Sequence, residues 1–204
     1  MALDAQTLAG FALTSLVIEL TPGPNMAWLA LLAATEGRKK GYAAVAGVAA
    51  GLAIMGAAAG FGMASLLQAS PLAYQTLRWA GAGYLVWLAY VAWRGAERPE
   101  DHAKVNSGLG QYFAQGLVTN LLNAKAAVFY VAVMPGFLMP GSGTADAMML
   151  SAVYVGVATL VHAGIVTAAG TAQGWLSQPG RVRTARRVMA FALLVVVAWL
   201  IWRT

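Results

Sequence analysis

Six long apolar stretches dominate the chain, and each can cross a bilayer as a helix. About 20 apolar residues suffice for a helix to span roughly 30 Å of hydrocarbon. The alternation of polar and apolar residues that is typical of membrane β-barrels is absent. The pattern therefore predicts an all-α polytopic membrane protein. The predicted helices are Leu8–Ala34, Tyr42–Leu67, Leu72–Trp93, Tyr112–Leu138, Ala147–Trp175 and Val188–Trp202.

The composition fits burial in lipid. Of 204 residues, 60% are hydrophobic and 10% are charged, whereas a soluble domain carries about 25% charged residues. No segment resembles a separate soluble domain, so we expect a single transmembrane domain over residues 1–204. The lack of cysteine excludes disulfides, thiolate metal sites and a cysteine nucleophile.

Basic residues are concentrated in three connecting segments. Ten of the thirteen Lys and Arg residues lie within 36–41, 94–110 and 177–187. In a six-helix chain these segments share one side, and the positive-inside rule assigns that side to the cytoplasm and both termini to the periplasm. Anionic lipids can balance a basic rim, so the net charge of +6 needs no nucleic-acid partner.

The first predicted helix is interrupted in its middle by Pro22, Gly23 and Pro24. Proline has no amide hydrogen, so two backbone carbonyls lose their helical partners. Such carbonyls must face protein or a cavity rather than lipid, and the half-helix from Asn25 presents amides that favour a carboxylate. We predict a ligand cavity here; a simple packing kink is the alternative.

Two opposite charges lie deep within predicted spans, Glu19 in the first helix and Lys125 in the fourth. A charge at that depth costs roughly 2.5–3.5 kcal/mol on insertion scales, so it is retained when it is paired or used. One interpretation is a static ion pair between two helices. The other, which we prefer because buried pairs contribute little stability, is a polar cavity that both residues face.

Three further polar residues are candidates. Asn120 and Asn123 flank Lys125 and are expected either to cap a half-helix or to contact a substrate. His162 lies in the middle of the fifth helix; a lone buried histidine usually bonds a neighbouring carbonyl, and a proton relay is the second possibility.

The polar run from Asn120 to Lys125, near the middle of the fourth predicted helix, is expected to interrupt that helix as well. The two interrupted helices are the first helices of two halves of the chain, residues 1–94 and 112–204, which a charged cytoplasmic loop at 95–111 joins. With three helices each, the halves enter the membrane from opposite sides. This helix count predicts a 3+3 inverted-topology repeat with a binding site between interrupted helices 1 and 4. Glycines at four-residue spacing, such as Gly47 and Gly51, are expected to pack helices closely, and a homodimer through such a stripe is possible.

Motifs of enzymes are missing. The chain has no nucleophile elbow, no P-loop and no metal-ligand cluster. We therefore expect a protein that is not an enzyme and that holds no cofactor or metal.

Several segments resemble the LysE/RhtB family of amino-acid exporters. They are Thr21-Pro22-Gly23-Pro24-Asn25-Met26, Glu36-Gly37-Arg38-Lys39-Lys40-Gly41, Trp79-Ala80-Gly81-Ala82-Gly83-Tyr84-Leu85 and Asn123-Ala124-Lys125. The likeness covers essentially the whole chain, although Ala124 stands where the family usually has proline. The resemblance implies a bacterial inner-membrane exporter of amino acids or related small metabolites, coupled to the proton gradient.

The leading hypothesis is thus proton-coupled antiport by alternating access. Lys125 with the Asn25 and Met26 amides is expected to bind the substrate carboxylate, and Glu19 the ammonium group. Glu19 and His162 are the candidates for proton coupling. The candidate substrate-binding residues are Glu19, Thr21, Pro22, Gly23, Pro24, Asn25, Met26, Asn120, Asn123 and Lys125. The alternatives are an exporter of another cargo, such as a metal cation, and a non-transporting membrane scaffold.

Overall fold

A computed structural model describes residues 3–20, 23–63, 108–138 and 142–171, together with separate positions between 72 and 94 and between 180 and 198. These described residues form helices and turns and include no strand, which confirms the all-α prediction. The helices are α1 (Ala5–Leu20), α2 (Pro24–Glu36), α3 (Arg38–Ala58), α4 (Leu109–Leu121), α5 (Ala124–Val128) and α6 (Thr144–Gly170). A π-helical turn, Ala59–Met63, extends α3, and Phe129–Val133 and Met134–Phe137 continue α5 as π and 3-10 turns.

The first predicted helix consists of two helices, α1 and α2, that meet at 63°. Before α2 the backbone of Gly23 is extended, with φ −146° and ψ 171°. Pro24 opens α2, where a missing amide hydrogen costs no helical bond. The predicted interruption of helix 1 is therefore confirmed, while Thr21 and Pro22 lie outside the described residues.

The fourth predicted helix is also broken, with a bend of 52° between Leu109–Leu121 and Lys125–Phe137. Asn123 has extended backbone at φ −83° and ψ 104°, and its side chain caps α5 by accepting the Lys125 amide at 3.1 Å. An asparagine cap satisfies an amide that the helix leaves free. The chain thus breaks here without a proline at position 124.

The polar segment after α2 is not a loop. α3 begins at Arg38, so Gly37 alone connects it to α2. The φ of Gly37 is 93°, in the region that glycine adopts without strain. The expectation that Arg38 and Lys40 lie in a loop is wrong, because this glycine turns the chain in one residue and leaves both in the first turn of α3.

Two described helices, α3 with its extension and α6, are long and apolar enough to cross a membrane, and each bent pair supplies one more span if it is counted as a single crossing. Large apolar side chains such as Leu13, Val17 and Leu160 are exposed, which suits lipid rather than water. The fold is that of a polytopic membrane protein. Predicted helices 3 and 6 fall largely outside the described residues, although every position described within them is helical.

Glycines bring α3 close to its neighbours. A Cβ at Gly47 would collide with the Phe113 carbonyl of α4, and one at Gly116 of α4 would collide with the Ala44 carbonyl of α3. Small residues permit this approach of backbones in lipid, where no hydrophobic effect drives helices together. The predicted packing role is confirmed for Gly47. The contact fixes α4 against α3 on the N-terminal side of the break between α4 and α5.

Candidate functional site

Glu19 faces the interior of the bundle. It is the last member of a buried stripe on α1, Phe11, Ser15 and Glu19, at the four-residue spacing of one helix face. Only 4% of Glu19 is exposed, whereas Leu20 beside it is 58% exposed. The carboxylate is therefore turned away from the lipid-facing side of α1.

Three side chains surround the Glu19 carboxylate. The Tyr154 hydroxyl donates a hydrogen bond of 2.7 Å to Oε1. His162 Nε2 lies 3.4 Å from Oε2, and Lys125 Nζ lies 3.9 Å from the same oxygen. Tyr154 and His162 are eight residues apart on α6, about two turns, so one face of that helix presents both. The carboxylate is held mainly by α6.

Lys125 is placed by the break between α4 and α5. The Asn123 cap is followed by Ala124, the first residue of α5, and then by Lys125. The lysine side chain therefore extends from the first turn of α5, next to the break. Its distance of 3.9 Å from Glu19 is at the outer limit of an ion pair, and 23% of its side chain is exposed. A tight static pair would bring the charges closer, so this geometry leaves the ammonium group accessible to a ligand.

A second polar chain links the two breaks. Asn25, in the first turn of α2, donates from Nδ2 to Oδ1 of Asn120 at 3.1 Å. Asn120, near the end of α4, in turn directs its Nδ2 towards the Met55 sulfur at 3.8 Å. Both asparagines are buried. The start of α2 is thereby joined to the end of α4.

These residues enclose a polar pocket. The space that they enclose has room for about one water molecule in this conformation. One acid, one lysine, one histidine and three asparagines in a small space can engage both charged groups of a zwitterion. Within the part of the chain that the structure describes, no three His, Asp or Glu side chains are grouped as a metal site. The pocket is lined by Glu19, Gly23, Asn25, Met26, Leu52, Asn120, Asn123, Lys125, Tyr154 and His162.

Eight of the residues that the sequence suggests thus lie together. Of the other three, Thr21 and Pro22 are outside the described residues, and of Pro24 only the backbone is described, as the first residue of α2. Sequence reasoning missed Tyr154 and Leu52. Tyr154 could have been predicted as a site residue from its spacing, which places it on the same helix face as His162. Leu52 could not, because nothing distinguishes one leucine from the others in an apolar helix.

Tyr154 is itself fixed by aromatic packing. Its ring stacks on Phe129 with centroids 3.6 Å apart and an interplanar angle of 12°. Tyr130 packs edge-on against the same ring and donates its hydroxyl to the Leu52 carbonyl at 2.8 Å. The turn that follows α5 therefore positions the hydroxyl that binds Glu19.

A cluster of polar contacts joins α2, α3, α4 and α6 at one end of the bundle. Lys40 pairs with Glu36 at 2.8 Å, and the Tyr112 hydroxyl of α4 lies 3.4 Å from the same carboxylate. Arg38 donates to the Thr167 carbonyl of α6 at 3.0 Å. We call these five residues the basic-end cluster. It joins the end of α2, the starts of α3 and α4 and the last turns of α6, so these helix ends share one side of the bundle.

Comparison with known proteins gives a match over most of the chain. The family described as LysE type translocator matches residues 16–203. A homoserine/homoserine lactone efflux protein of Salmonella typhimurium is 30% identical over 192 residues, which is 93% of each chain. A leucine efflux protein of an Enterobacter species is 35% identical over 123 residues, 59% of this chain and 58% of that one. No solved structure matches the chain.

Proposed function

This chain belongs to the LysE type translocator family, and on that premise we propose that it is a secondary exporter of amino acids or related small zwitterions across the bacterial inner membrane. The single observation that carries the proposal is the pocket in which Glu19 and Lys125 meet between two broken helices. The efflux activity named for the relatives from Salmonella and Enterobacter supports the same class of cargo.

In the proposed complex the cargo inserts between the two charges. Lys125 and the amides of Asn25 and Met26, which have no helical partner in a first turn, bind the carboxylate. Glu19 binds the ammonium group. Gly23, which lines the pocket and has no side chain, leaves room for the cargo at the start of α2. Thr21, Pro22 and Pro24 belong to the same predicted segment. Tyr154 orients the Glu19 carboxylate through its 2.7 Å hydrogen bond.

Proton coupling follows from competition for one carboxylate. A proton on Glu19 removes the charge that attracts the ammonium group, so proton and cargo bind alternately. His162 is the proposed relay because Nε2 lies 3.4 Å from Glu19, while its Nδ1 is buried and has no hydrogen-bond partner among the described residues. A neutral imidazole can accept at one nitrogen and donate at the other.

Alternating access is proposed from the reciprocal arrangement of the two breaks. The end of α1 meets the start of α5 through Glu19 and Lys125, and the end of α4 meets the start of α2 through Asn120 and Asn25. If the two halves of the chain are interchanged, α1 takes the place of α4 and α2 takes the place of α5. Each of the two contacts then takes the place of the other. This reciprocity supports the predicted 3+3 inverted repeat, with the site on its axis.

The orientation of the protein in the membrane is proposed from charge. The basic-end cluster and the basic segments beside it face the cytoplasm under the positive-inside rule, which leaves both termini in the periplasm. Association into a homodimer stays a prediction, and a scaffold without transport is disfavoured because it needs no polar pocket.

The experiment is efflux from cells loaded with dipeptides, in which hydrolysis raises internal amino acids. We expect expression of the chain to accelerate release of a subset of them, and Glu19→Gln to abolish release that is driven by a pH gradient. Asp146→Asn is the matched control, since it changes a carboxylate at the start of α6, outside the pocket. Unchanged efflux in Glu19→Gln removes this carboxylate from the mechanism.

A further inference from the structure

Two arginines contact aromatic rings where the third and sixth predicted helices meet. The Arg94 guanidinium carbon lies 5.8 Å from the centre of the Tyr90 ring, and Nη1 donates to the Tyr90 hydroxyl at 3.0 Å. The Arg187 guanidinium carbon lies 5.3 Å from the centre of the Trp93 ring. Tyr90 and Trp93 are three residues apart in the sequence and are therefore neighbours on one helix face. The rings thus hold two positive charges near each other, and we call these four residues the two-arginine site.

The two-arginine site lies at a junction between helices. Arg187 is half-buried, and Ala190, about one turn further along predicted helix 6, is fully buried. On predicted helix 3, Ala89 lies about one turn before Trp93 and is also buried. Tyr90 and Trp93 themselves are exposed. Both helices are therefore packed into the bundle one turn away from the site, while the rings of the site reach its surface.

No described carboxylate balances these two charges. The Nε of Arg187 is buried and has no hydrogen-bond partner among the described residues. Residues 181–187 contain four arginines, and the sequence from 147 to 204 contains no Asp or Glu. The carboxylates that the structure describes are bonded elsewhere; they belong to Asp4, Glu19, Glu36 and Asp146. The two-arginine site therefore offers its charge to an anion from outside the protein.

The chemistry of the site matches a phosphate at the membrane surface. A guanidinium group presents a planar set of donors that fits phosphate oxygens. Tyrosine and tryptophan at the ends of membrane helices favour the level of the lipid headgroups. In the orientation proposed above, this end of the two helices lies at the cytoplasmic leaflet, whose anionic lipids attract basic residues.

Apolar surface beside the arginines distinguishes a lipid from a soluble phosphate. On predicted helix 3, Val86 lies two turns before Arg94 on the same face and is exposed. On predicted helix 6, Phe191 and Leu194 follow Arg187 on one face and are exposed as well. A headgroup at the arginines would therefore have its acyl chains along these apolar residues, whereas a soluble anion would leave them uncovered.

We propose that the two-arginine site binds the phosphate of an anionic phospholipid between predicted helices 3 and 6. The aromatic rings fix the guanidinium groups, and the donors that remain bond the phosphate oxygens. The bound lipid balances both charges and joins the two helices at this end. None of the four residues lines the pocket around Glu19, so the inference is independent of the cargo.

The test is native mass spectrometry of the full chain in a neutral detergent. The protein is offered phosphatidylglycerol or phosphatidylcholine; both contain a phosphate, but choline cancels its charge in the second. We expect the wild-type protein to retain phosphatidylglycerol and to release phosphatidylcholine. Arg94→Gln and Arg187→Gln are each expected to weaken phosphatidylglycerol binding about fivefold, which corresponds to about 1 kcal/mol for one basic residue at a lipid surface.

Lys39→Gln is the matched control. Lys39 is an exposed basic residue in the first turn of α3, so the substitution removes one charge without changing the two-arginine site. We expect it to leave lipid binding unchanged. Trp93→Leu is a second variant that keeps both charges and removes the ring under Arg187. It must also weaken binding, which provides the test if an arginine variant does not fold.

Three results would overturn the proposal. Equal retention of the two lipids by the wild-type protein leaves the charge balance to the acids of the chain itself. An equal loss in Lys39→Gln and in the arginine variants means that the lipid responds only to overall charge. Displacement of phosphatidylglycerol by excess inorganic phosphate assigns the site to a soluble anion. None of these results affects the proposed export, which the dipeptide experiment tests separately.

Discussion

The Tyr154 hydroxyl donates to Glu19 at 2.7 Å while the Tyr154 ring stacks on Phe129 at 3.6 Å. One side chain thus ties the buried carboxylate of α1 to an aromatic cluster after the break in α4. The carboxylate cannot turn and keep this bond without moving a ring that packs against Phe129 and Tyr130.

Tyr154→Phe is therefore expected to slow export while keeping the fold. The ring and its stack remain, but a hydrogen bond to a charged group, worth about 1.5–3 kcal/mol, is lost. We expect initial efflux rates in proteoliposomes to fall at least about tenfold. Tyr130→Phe is the control, because that hydroxyl bonds the Leu52 carbonyl and not Glu19. Wild-type efflux in Tyr154→Phe would show that the bond does not position the carboxylate.

A double variant distinguishes the two interpretations of the buried charges. Lys125→Met alone leaves an uncompensated carboxylate, which is strongly destabilising at a buried site. Glu19→Gln with Lys125→Met removes both charges and is expected to recover the melting temperature in detergent but not efflux. Recovery of efflux as well would mean that the pair at 3.9 Å only holds helices together.

The close contact between α3 and α4 predicts that an alanine at a packed glycine lowers the free energy of unfolding, whereas an alanine at an exposed glycine does not. Gly116→Ala places a methyl group on the Ala44 carbonyl, and overpacking of this kind costs about 1–3 kcal/mol or more. Gly156→Ala on α6 meets open space and is expected to be neutral or stabilising by up to about 1 kcal/mol. Thermal unfolding in detergent compares the two variants. Equal melting temperatures would contradict the backbone contact.

The break before α5 predicts that proline is accepted at position 124. Ala124 is the first residue of α5 and follows the extended Asn123, which is the backbone that a following proline requires. Ala124→Pro should leave stability and efflux close to wild type. Ala127→Pro is the control: it removes the amide that bonds the Asn123 carbonyl at 3.1 Å and should cost about 3 kcal/mol. A comparable loss in both variants would mean that the helix runs on through Asn123.

Sequence reasoning recovered the features that hydropathy and rare residues encode. Glu19 and Lys125 stand out because charge in an apolar helix is expensive, and the prolines locate the first break directly. The second break was less certain because Ala124 carries no such signal; it depends on the conformation of Asn123 and its cap. The Gly37 turn was missed because its effect is a single positive φ.

The partners of the site residues were harder to predict. Tyr154 looks like any aromatic residue in a membrane helix until α6 is placed against α1, and Met55 becomes relevant only when Asn120 points towards it. Such contacts join segments more than 60 residues apart. Hydropathy along a single chain locates the membrane helices but does not show which of their faces meet.

The two breaks differ in what maintains them. Pro22 and Pro24 lack the amide hydrogens that a continuous helix needs, so the elbow between α1 and α2 is permanent. At the other elbow every residue from Leu121 to Lys125 keeps its amide, and a single asparagine side chain holds the break open. The second elbow therefore depends on side-chain contacts that a substitution can remove, whereas the first is fixed by the backbone itself.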